Sequence, residues 1–204
     1  MVVIADSDCV RKLAWCGFLA EFLQAISVPP NDIWILPALP AQVKKHLAMC
    51  PDALTDFEKF LKKTKPIPKA NVDMLARFEN LDGGEQQIFA LMCEIERVEL
   101  VVTGDKKAIN RVAALVHIDP SLGALMESSV VLCFEAIMLR LLKKQGFSVM
   151  KARIDRWRQR QGIEMDKVMA AIFTAGCTEL SVTTELNDRI TSLRASCVGV
   201  PVQF

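Results

Sequence analysis

The sequence predicts an α/β fold in which a central parallel sheet is covered by helices on both faces and is followed by C-terminal helices. Strand candidates alternate with helical patterns as far as Gly146, which is typical of a parallel sheet. The strand candidates (VVIA, IWIL, LVV and VVLC) are apolar throughout, as strands buried on both faces are. After Gly146 we find no convincing strand in 150–177 or 179–196. We therefore predict a first domain over 1–146 and a helical C-terminal extension over 147–204.

The elements of the first domain follow one another in a regular order. Strands are predicted at 2–5, 32–36, 98–103 and 130–133. Helices are predicted at 13–26, 40–49, 55–63, 72–79, 84–96, 105–115 and 135–145. The clearest helix is 84–96, which carries an apolar stripe with i, i+3, i+4, i+7 spacing from Ile88 to Ile95. Thr55 is the predicted cap of the helix at 55–63, because Glu58 stands in the capping-box position, and Pro66 breaks the chain after it.

Composition excludes several classes of protein. The 204 residues are 51% hydrophobic and 24% charged, which is typical of a globular chain and not of a disordered or fibrous one. The net charge is +1, so a nucleic acid or a membrane would have to meet a local patch. Seven cysteines without a CxxC pair and two histidines, His46 and His117, do not supply a zinc site. With no signal peptide and no apolar run of about 18 residues, we predict a cytoplasmic protein without a membrane partner.

Three carboxylates are predicted to meet at one edge of the sheet. Asp6 follows the first strand candidate, and Asp105 follows the strand at 98–103. Ligands of parallel α/β sheets bind outside the carboxyl ends of the strands, where these two residues would lie. Glu85 stands three residues before Ile88, on the apolar stripe of its helix. Burying a carboxylate there without a partner costs several kcal/mol, whereas the helix dipole stabilises the carboxylate by only about 0.3–1 kcal/mol. We therefore expect a cation between the three carboxylates.

The ligand atoms indicate which ion this would be. Carboxylate oxygens without nearby histidine or cysteine form a hard site, which suits Mg²⁺ or Mn²⁺ and not zinc or copper. Phosphate chemistry is the usual work of such a site. Each residue also has a simpler interpretation, with Asp6 and Asp105 as helix caps and Glu85 as a first-turn partner of the dipole. Without metal, the repulsion between the carboxylates should raise at least one of their pKa values.

Three segments in order, VVIADSDCV, LDGGEQQIFAL and LVVTGDKKAI, resemble the motifs of the PIN-domain nucleases. The matching residues are Asp6 and Ser7, then Gly84 and Glu85, then Thr103, Asp105 and Ala108. The resemblance covers roughly 1–145 and implies a three-layer α/β/α fold. It also implies metal-dependent cleavage of RNA that leaves a 3′-hydroxyl and a 5′-phosphate, often by the toxin of a toxin–antitoxin pair. Asp6, Glu85 and Asp105 would be both catalytic residues and metal ligands.

The family commonly has a fourth acidic residue one strand after the third motif. Asp119, which follows Val116-His117-Ile118, is the best candidate for this metal ligand, and Asp8 and Glu135 are alternatives. His117 is interpreted as a strand-end or core histidine. The stretch 37–82 is longer than in compact members of the family, and the helices after 146 have no counterpart in its minimal domain.

Two other functions are open. Asp6-Ser7-Asp8 also resembles the start of haloacid-dehalogenase-type phosphatases, in which Asp6 would be the nucleophile and Asp8 an acid/base. Against this resemblance, these phosphatases have an aspartate four residues after the position of Asp105, and this sequence has Ile109 there. The third possibility is a catalytically silent PIN-like binding module.

Basic residues are concentrated in two segments. Residues 44–69 contain seven lysines, and residues 140–160 contain eight lysines and arginines. Basic arms on either side of an acidic metal centre would suit the phosphate backbone of RNA. Trp157 either stacks on an exposed base or packs inward. Arginine-rich segments also pair with acidic proteins, so an antitoxin or a second copy of the chain, as a homodimer, is a further possible partner.

Overall fold

The computed structural model describes residues 2–4, 6–27, 29, 32–95, 98–160 and 165–203. They form a six-stranded sheet in which every pair of neighbouring strands is parallel. The strands are β1 (Val2–Ile4), β2 (Ile33–Ile35), β3 (Thr64–Pro66), β4 (Leu100–Val102), β5 (Val130–Leu132) and β6 (Val202–Gln203). Their order in the sheet is β3-β2-β1-β4-β5-β6.

The helices form a layer on each side of this sheet. They are α1 (Ser7–Trp15), α2 (Leu19–Ala25), α3 (Leu39–Leu47), α4 (Pro51–Leu61), α5 (Val72–Ala76), α6 (Gly83–Glu94), α7 (Lys106–Ile118), α8 (Pro120–Met126), α9 (Phe134–Gln145), α10 (Phe147–Arg158), α11 (Lys167–Ile172) and α12 (Glu179–Ser196). Helices α1 to α4 and α9 belong to one contacting group, and α5 to α8 belong to a second. The predicted three-layer α/β/α fold with a parallel sheet and C-terminal helices is confirmed.

The central strands form because they are apolar at every position. All residues of β1 and β4 are buried, and β1 lies in register between β2 and β4, with Val3 opposite both Trp34 and Val101. A strand that is buried on both faces has no polar face to alternate with its apolar one. The four predicted strands therefore lie where their sequence indicates, one or two residues shorter at some ends.

Two strands are absent from the sequence prediction. β3 contains Pro66 and is an edge strand, where proline is tolerated because its missing N–H faces no partner strand. β6 comes from the C-terminal extension and pairs with β5, and α12 packs along α9. The extension therefore adds a strand to the sheet. The division into domains at residue 146 stays a prediction.

Several helix boundaries differ from the prediction. The pattern over 13–26 is two helices, α1 and α2, separated at Gly17, whose φ of +68° is in the left-handed region that glycine adopts most readily. Thr55 is not a cap, because α4 already begins at Pro51, and its hydroxyl donates to the Pro51 carbonyl oxygen at 2.8 Å. The run at 116–118 is the last turn of α7 and not a strand, so His117 is an exposed helical residue.

No helix among the described residues is both long enough and apolar enough to cross a membrane.

Candidate functional site

The strand order produces a crevice between β1 and β4. From β1 the chain builds the sheet outward through β2 and β3, and it then returns to the other side of β1 to add β4, β5 and β6. In parallel α/β sheets, ligands bind outside the carboxyl ends of the two strands at such a reversal. Here the segments that leave those ends carry Asp6 and Thr103-Gly104-Asp105.

Asp6 joins the two sides of this crevice. As the N-cap of α1, it accepts a hydrogen bond from Asp8 N at 2.7 Å on Oδ1. Its Oδ2 accepts from Gly104 N at 2.8 Å, across the crevice. A Cβ atom on Gly104 would lie 2.7 Å from the same Oδ2, so any larger residue would displace the carboxylate. Glycine at 104 is therefore a requirement of this close approach.

Asp105 is held by the start of α7. Its Oδ1 accepts from Lys107 N at 2.8 Å and from Ala108 N at 3.0 Å, which makes it the N-cap of this helix. Its own N–H donates to the buried Thr103 Oγ1 at 3.1 Å. The side chain stays exposed at the mouth of the crevice, where one oxygen has no backbone partner among the described residues.

Glu85 completes a capping box with Asp82 at the start of α6. Asp82 Oδ1 accepts from Gly84 N and Glu85 N, both at 2.9 Å, and Glu85 Oε2 accepts from Asp82 N at 3.2 Å. Glu85 is half-buried, and its carboxylate is near enough to that of Asp105 for the two negative charges to interact. Sequence reasoning assigned no role to Asp82, although its spacing from Glu85 is the signal of a capping box.

The three predicted catalytic carboxylates line one cavity of about 530 Å³. Its polar wall also contains Asp82, Thr103 and Gln42, and its apolar wall comes from residues 36–38, which follow β2, and from α6 and β4. The prediction that Asp6, Glu85 and Asp105 meet at the carboxyl edge of the sheet therefore agrees with the geometry at the level of a shared cavity.

Two of these carboxylates resist ionisation. Burial raises the pKa of Asp6, and the negative charge of Asp8 adds to this, whereas backbone hydrogen bonds and the charge of Lys12 oppose it. Burial also raises the pKa of Glu85, and the charges of Asp82 and Asp105 act in the same direction. Raised pKa values are expected for a cluster of carboxylates without a bound metal. For both residues, burial is a larger cause of the pKa shift than repulsion between negative charges.

The donor chemistry fits a hard cation, but a closed ligand set is not formed. No group of three or more His, Cys, Asp or Glu side chains within the described ranges is arranged to hold one ion. Mg²⁺ does not require one, since it keeps several waters and commonly binds through one or two carboxylates. A carboxylate has about four lone-pair positions, so the capping hydrogen bonds leave acceptor capacity on Asp6, Glu85 and Asp105.

Asp119 does not join this cluster. It forms an ion pair with Arg77 and caps α8, accepting from Ser121. Helix α7 has 13 residues and is about 20 Å long, so Asp105 and Asp119 lie at its opposite ends. The expectation of a ligand at 119 assumed a strand at 116–118, and the helix there carries Asp119 to the other edge of the sheet.

The alternative fourth acids lie nearer. Asp8 and Glu135 line a second cavity of about 420 Å³, which shares Asp6 and Asp105 with the first. Glu135 is 3% exposed in the first turn of α9, directly after β5, and it pairs with Lys106. The rule that selected Asp6 and Asp105, an acid where a buried strand meets a helix, also selects Glu135.

Some cations of the two basic segments lie away from the acidic cavity or are paired with acids. Lys62 and Lys63 precede β3 and therefore lie at the amino edge of the sheet, opposite the acidic cavity. In α10, Lys151 and Arg158 pair with Asp155, and Arg153 pairs with Glu21.

Trp157 packs inward, which settles the choice left open by the sequence. It is fully buried, with its ring centroid 5.5 Å from that of Trp15. Stacking of Trp157 on an RNA base is therefore excluded in this conformation.

Comparisons of the chain with models of protein families, with curated proteins and with solved structures found no match. The resemblance to PIN-domain nucleases accordingly rests on the three motifs.

Gly104→Ala should destabilise the metal-free protein by about 1–3 kcal/mol, because the new Cβ forces Asp6 away from its backbone partners. Gly83→Ala is the matched control in the same cavity wall, since an added Cβ meets no atom within 4 Å and alanine favours a helix. Urea unfolding measures the free energy of unfolding of both variants. Equal stability of the two variants would show that the contact between Asp6 and Gly104 matters little.

Glu85→Gln should stabilise the metal-free protein at pH 7 and leave its stability unchanged near pH 4. The raised pKa means that folded Glu85 holds its proton more tightly than unfolded Glu85, whose ordinary value is 4.5. The tighter binding of the proton stabilises the fold below pH 4.5, and this stabilisation is lost as the pH rises through the pKa of folded Glu85. Glutamine stays neutral and still completes the capping box.

Thermal melts of wild type, Glu85→Gln and the exposed control Glu79→Gln across this pH range test the prediction. A Glu85→Gln variant with the pH profile of wild type would contradict it.

Proposed function

We propose that this chain is a PIN-like endoribonuclease that depends on Mg²⁺ or Mn²⁺ and hydrolyses RNA phosphodiester bonds. The observation that carries the proposal is the convergence of Asp6, Glu85 and Asp105, from three separate elements, on one cavity at the carboxyl edge of the sheet. The order of the three motifs supports the same family. A role as the toxin of a toxin–antitoxin pair, with an antitoxin partner, a homodimer and a cytoplasmic location, is part of the proposal.

The residues of the cavity have distinct roles in this proposal. Asp6, Glu85 and Asp105, which line the same cavity, would hold the metal, which would activate water and neutralise charge on the phosphate. Asp6 is positioned by two backbone N–H groups, so its orientation does not depend on the metal. Thr103 fixes the backbone of Asp105.

One observation favours a second candidate, the catalytically silent PIN-like module. Asp6 and Asp105 are N-caps, and Glu85 belongs to a capping box, so all three have structural roles without any ion. The phosphatase has less support. Asp8, its acid/base, forms ion pairs with Arg11 and Lys12 and lines the second cavity instead of the first.

Asp105→Asn should abolish cleavage of a labelled RNA in Mn²⁺ while the fold is retained, because asparagine caps a helix as well as aspartate but is a poor metal ligand. Asp6→Asn should also abolish cleavage without unfolding the protein, although its single amide oxygen can accept only one of the two backbone hydrogen bonds that the carboxylate accepts. EDTA should have the same effect on wild type. Asp119→Asn is the control that should cleave normally, since Asp119 lies at the far end of α7. Robust cleavage by Asp6→Asn would refute the nuclease. Phosphate release from p-nitrophenyl phosphate without RNA cleavage would favour the phosphatase.

Thermal melting separates the nuclease from the silent module. A metal that binds only the folded state raises its melting temperature by mass action, by about 2.7 kcal/mol of stability at a hundredfold excess over Kd. Wild type should therefore respond to Mn²⁺. Asp105→Asn should melt no lower than wild type without metal and should lose the response. A wild type that does not respond to Mn²⁺ would favour the silent module.

A further inference from the structure

Three basic residues line the second acidic cavity: Lys12 of α1, which is paired with Asp8 and Asp166, and Lys106 and Lys107 of α7. This helix begins directly after Asp105 and carries Lys106, Lys107, Arg111 and His117, with no acidic side chain between residues 106 and 118. Lys107 lines the second cavity, which shares Asp6 and Asp105 with the first. A cationic surface therefore starts where the carboxylates end.

Two of these cations have no counter-ion among the residues that the structure describes. Lys107 and Arg111 are exposed, and neither forms an ion pair with a described residue. Lys106, by contrast, is neutralised by the buried Glu135. The other basic helices of the described chain supply acidic partners for many of their cations, as Asp155 does in α10 and Glu58 of α4 does for Lys44. Lys107 and Arg111 are thus a pair of cations that begins at an acidic cavity and has no acidic partner in the part of the chain that the structure describes.

The exposed residues of α7 form one continuous face, which we call the α7 face: Lys107, Asn110, Arg111, Ala114, His117 and Ile118. Lys107 and Arg111 are one turn apart, with an axial rise of about 6 Å. The face ends in a groove of about 480 Å³ between α7 and the turn after α12. Its lining includes His117, Ser196 and Val198, the last of which is 78% exposed.

We propose that the α7 face binds the single-stranded RNA that flanks the scissile phosphate, with backbone phosphates on Lys107 and Arg111 and one nucleotide in the groove. Charge complementarity and continuity with the carboxylate cavities select this occupant, since a strand that leaves the cavity next meets unpaired cations. The groove offers apolar and ring surface to a base, and such contacts do not depend on sequence. This inference rests on the proposed function, because it assigns the route of the same substrate.

The test compares two double variants in binding to a fluorescent single-stranded RNA of about 12 nucleotides, without added metal so that no cleavage occurs. Each phosphate contact contributes about 0.7 to the slope of log affinity against log salt, so Lys107→Ala/Arg111→Ala should reduce the slope by about 1.4. At about 0.1 M salt this corresponds to a roughly 20-fold weaker affinity. Lys62→Ala/Lys63→Ala removes two exposed, unpaired lysines at the opposite edge and should bind as wild type does.

Cleavage kinetics distinguish the failure of this inference from the failure of the proposed function. With Mn²⁺, Lys107→Ala/Arg111→Ala should raise KM for a long RNA by more than it raises KM for a dinucleotide, which has no flanking strand. Normal binding by this variant, or equal losses in both double variants, would overturn the inference while the nuclease stands. Binding that depends on the α7 face without any cleavage would refute the nuclease alone. A wild type that binds an acidic protein on this face but no RNA would also overturn the inference.

Discussion

The rest of the site depends on the Asp6 carboxylate and its two backbone hydrogen bonds. Asp6 and Gly104 lie 98 positions apart in the chain, and this side chain ties the turn after β1 to the turn after β4. One oxygen fixes the start of α1, and the other fixes the loop that carries Asp105. Because a Cβ at position 104 would push this carboxylate away, the identity of a single glycine controls the geometry of the whole crevice.

The same carboxylates serve the fold and the proposed chemistry. As caps they satisfy N–H groups at the starts of α1, α6 and α7, so their positions are defined before any ion binds. This arrangement disfavours the ionised forms of Glu85 and Asp6, because burial and neighbouring negative charge raise the pKa values of both carboxyl groups. A bound cation would offset this burial and repulsion, and for that reason the raised pKa values support a metal-binding proposal.

Local sequence patterns predicted the features that depend on local chemistry. The four apolar strands and the acids at their ends could be predicted from two facts alone. Each strand segment is apolar enough to be buried, and parallel strands end at the same edge of a sheet. β3 and β6 could not be found in this way, because short edge strands are defined by their pairing partners. The run at 116–118 shows the limit of periodicity, since a short apolar segment fits a strand and a helix equally well, and the error misplaced Asp119. Charge clusters were misleading because tertiary ion pairs, such as Arg153 with Glu21, cannot be read from composition.

The central claim is that the cavity between β1 and β4 holds a divalent metal ion. Anomalous scattering from crystals soaked in Mn²⁺ tests it most directly, because manganese is located independently of any activity. The account predicts a peak in the cavity of about 530 Å³, within coordination distance of Asp105 and of Glu85 or Asp6. Soaked crystals with no peak in this cavity, or with manganese only at Asp119, would contradict it.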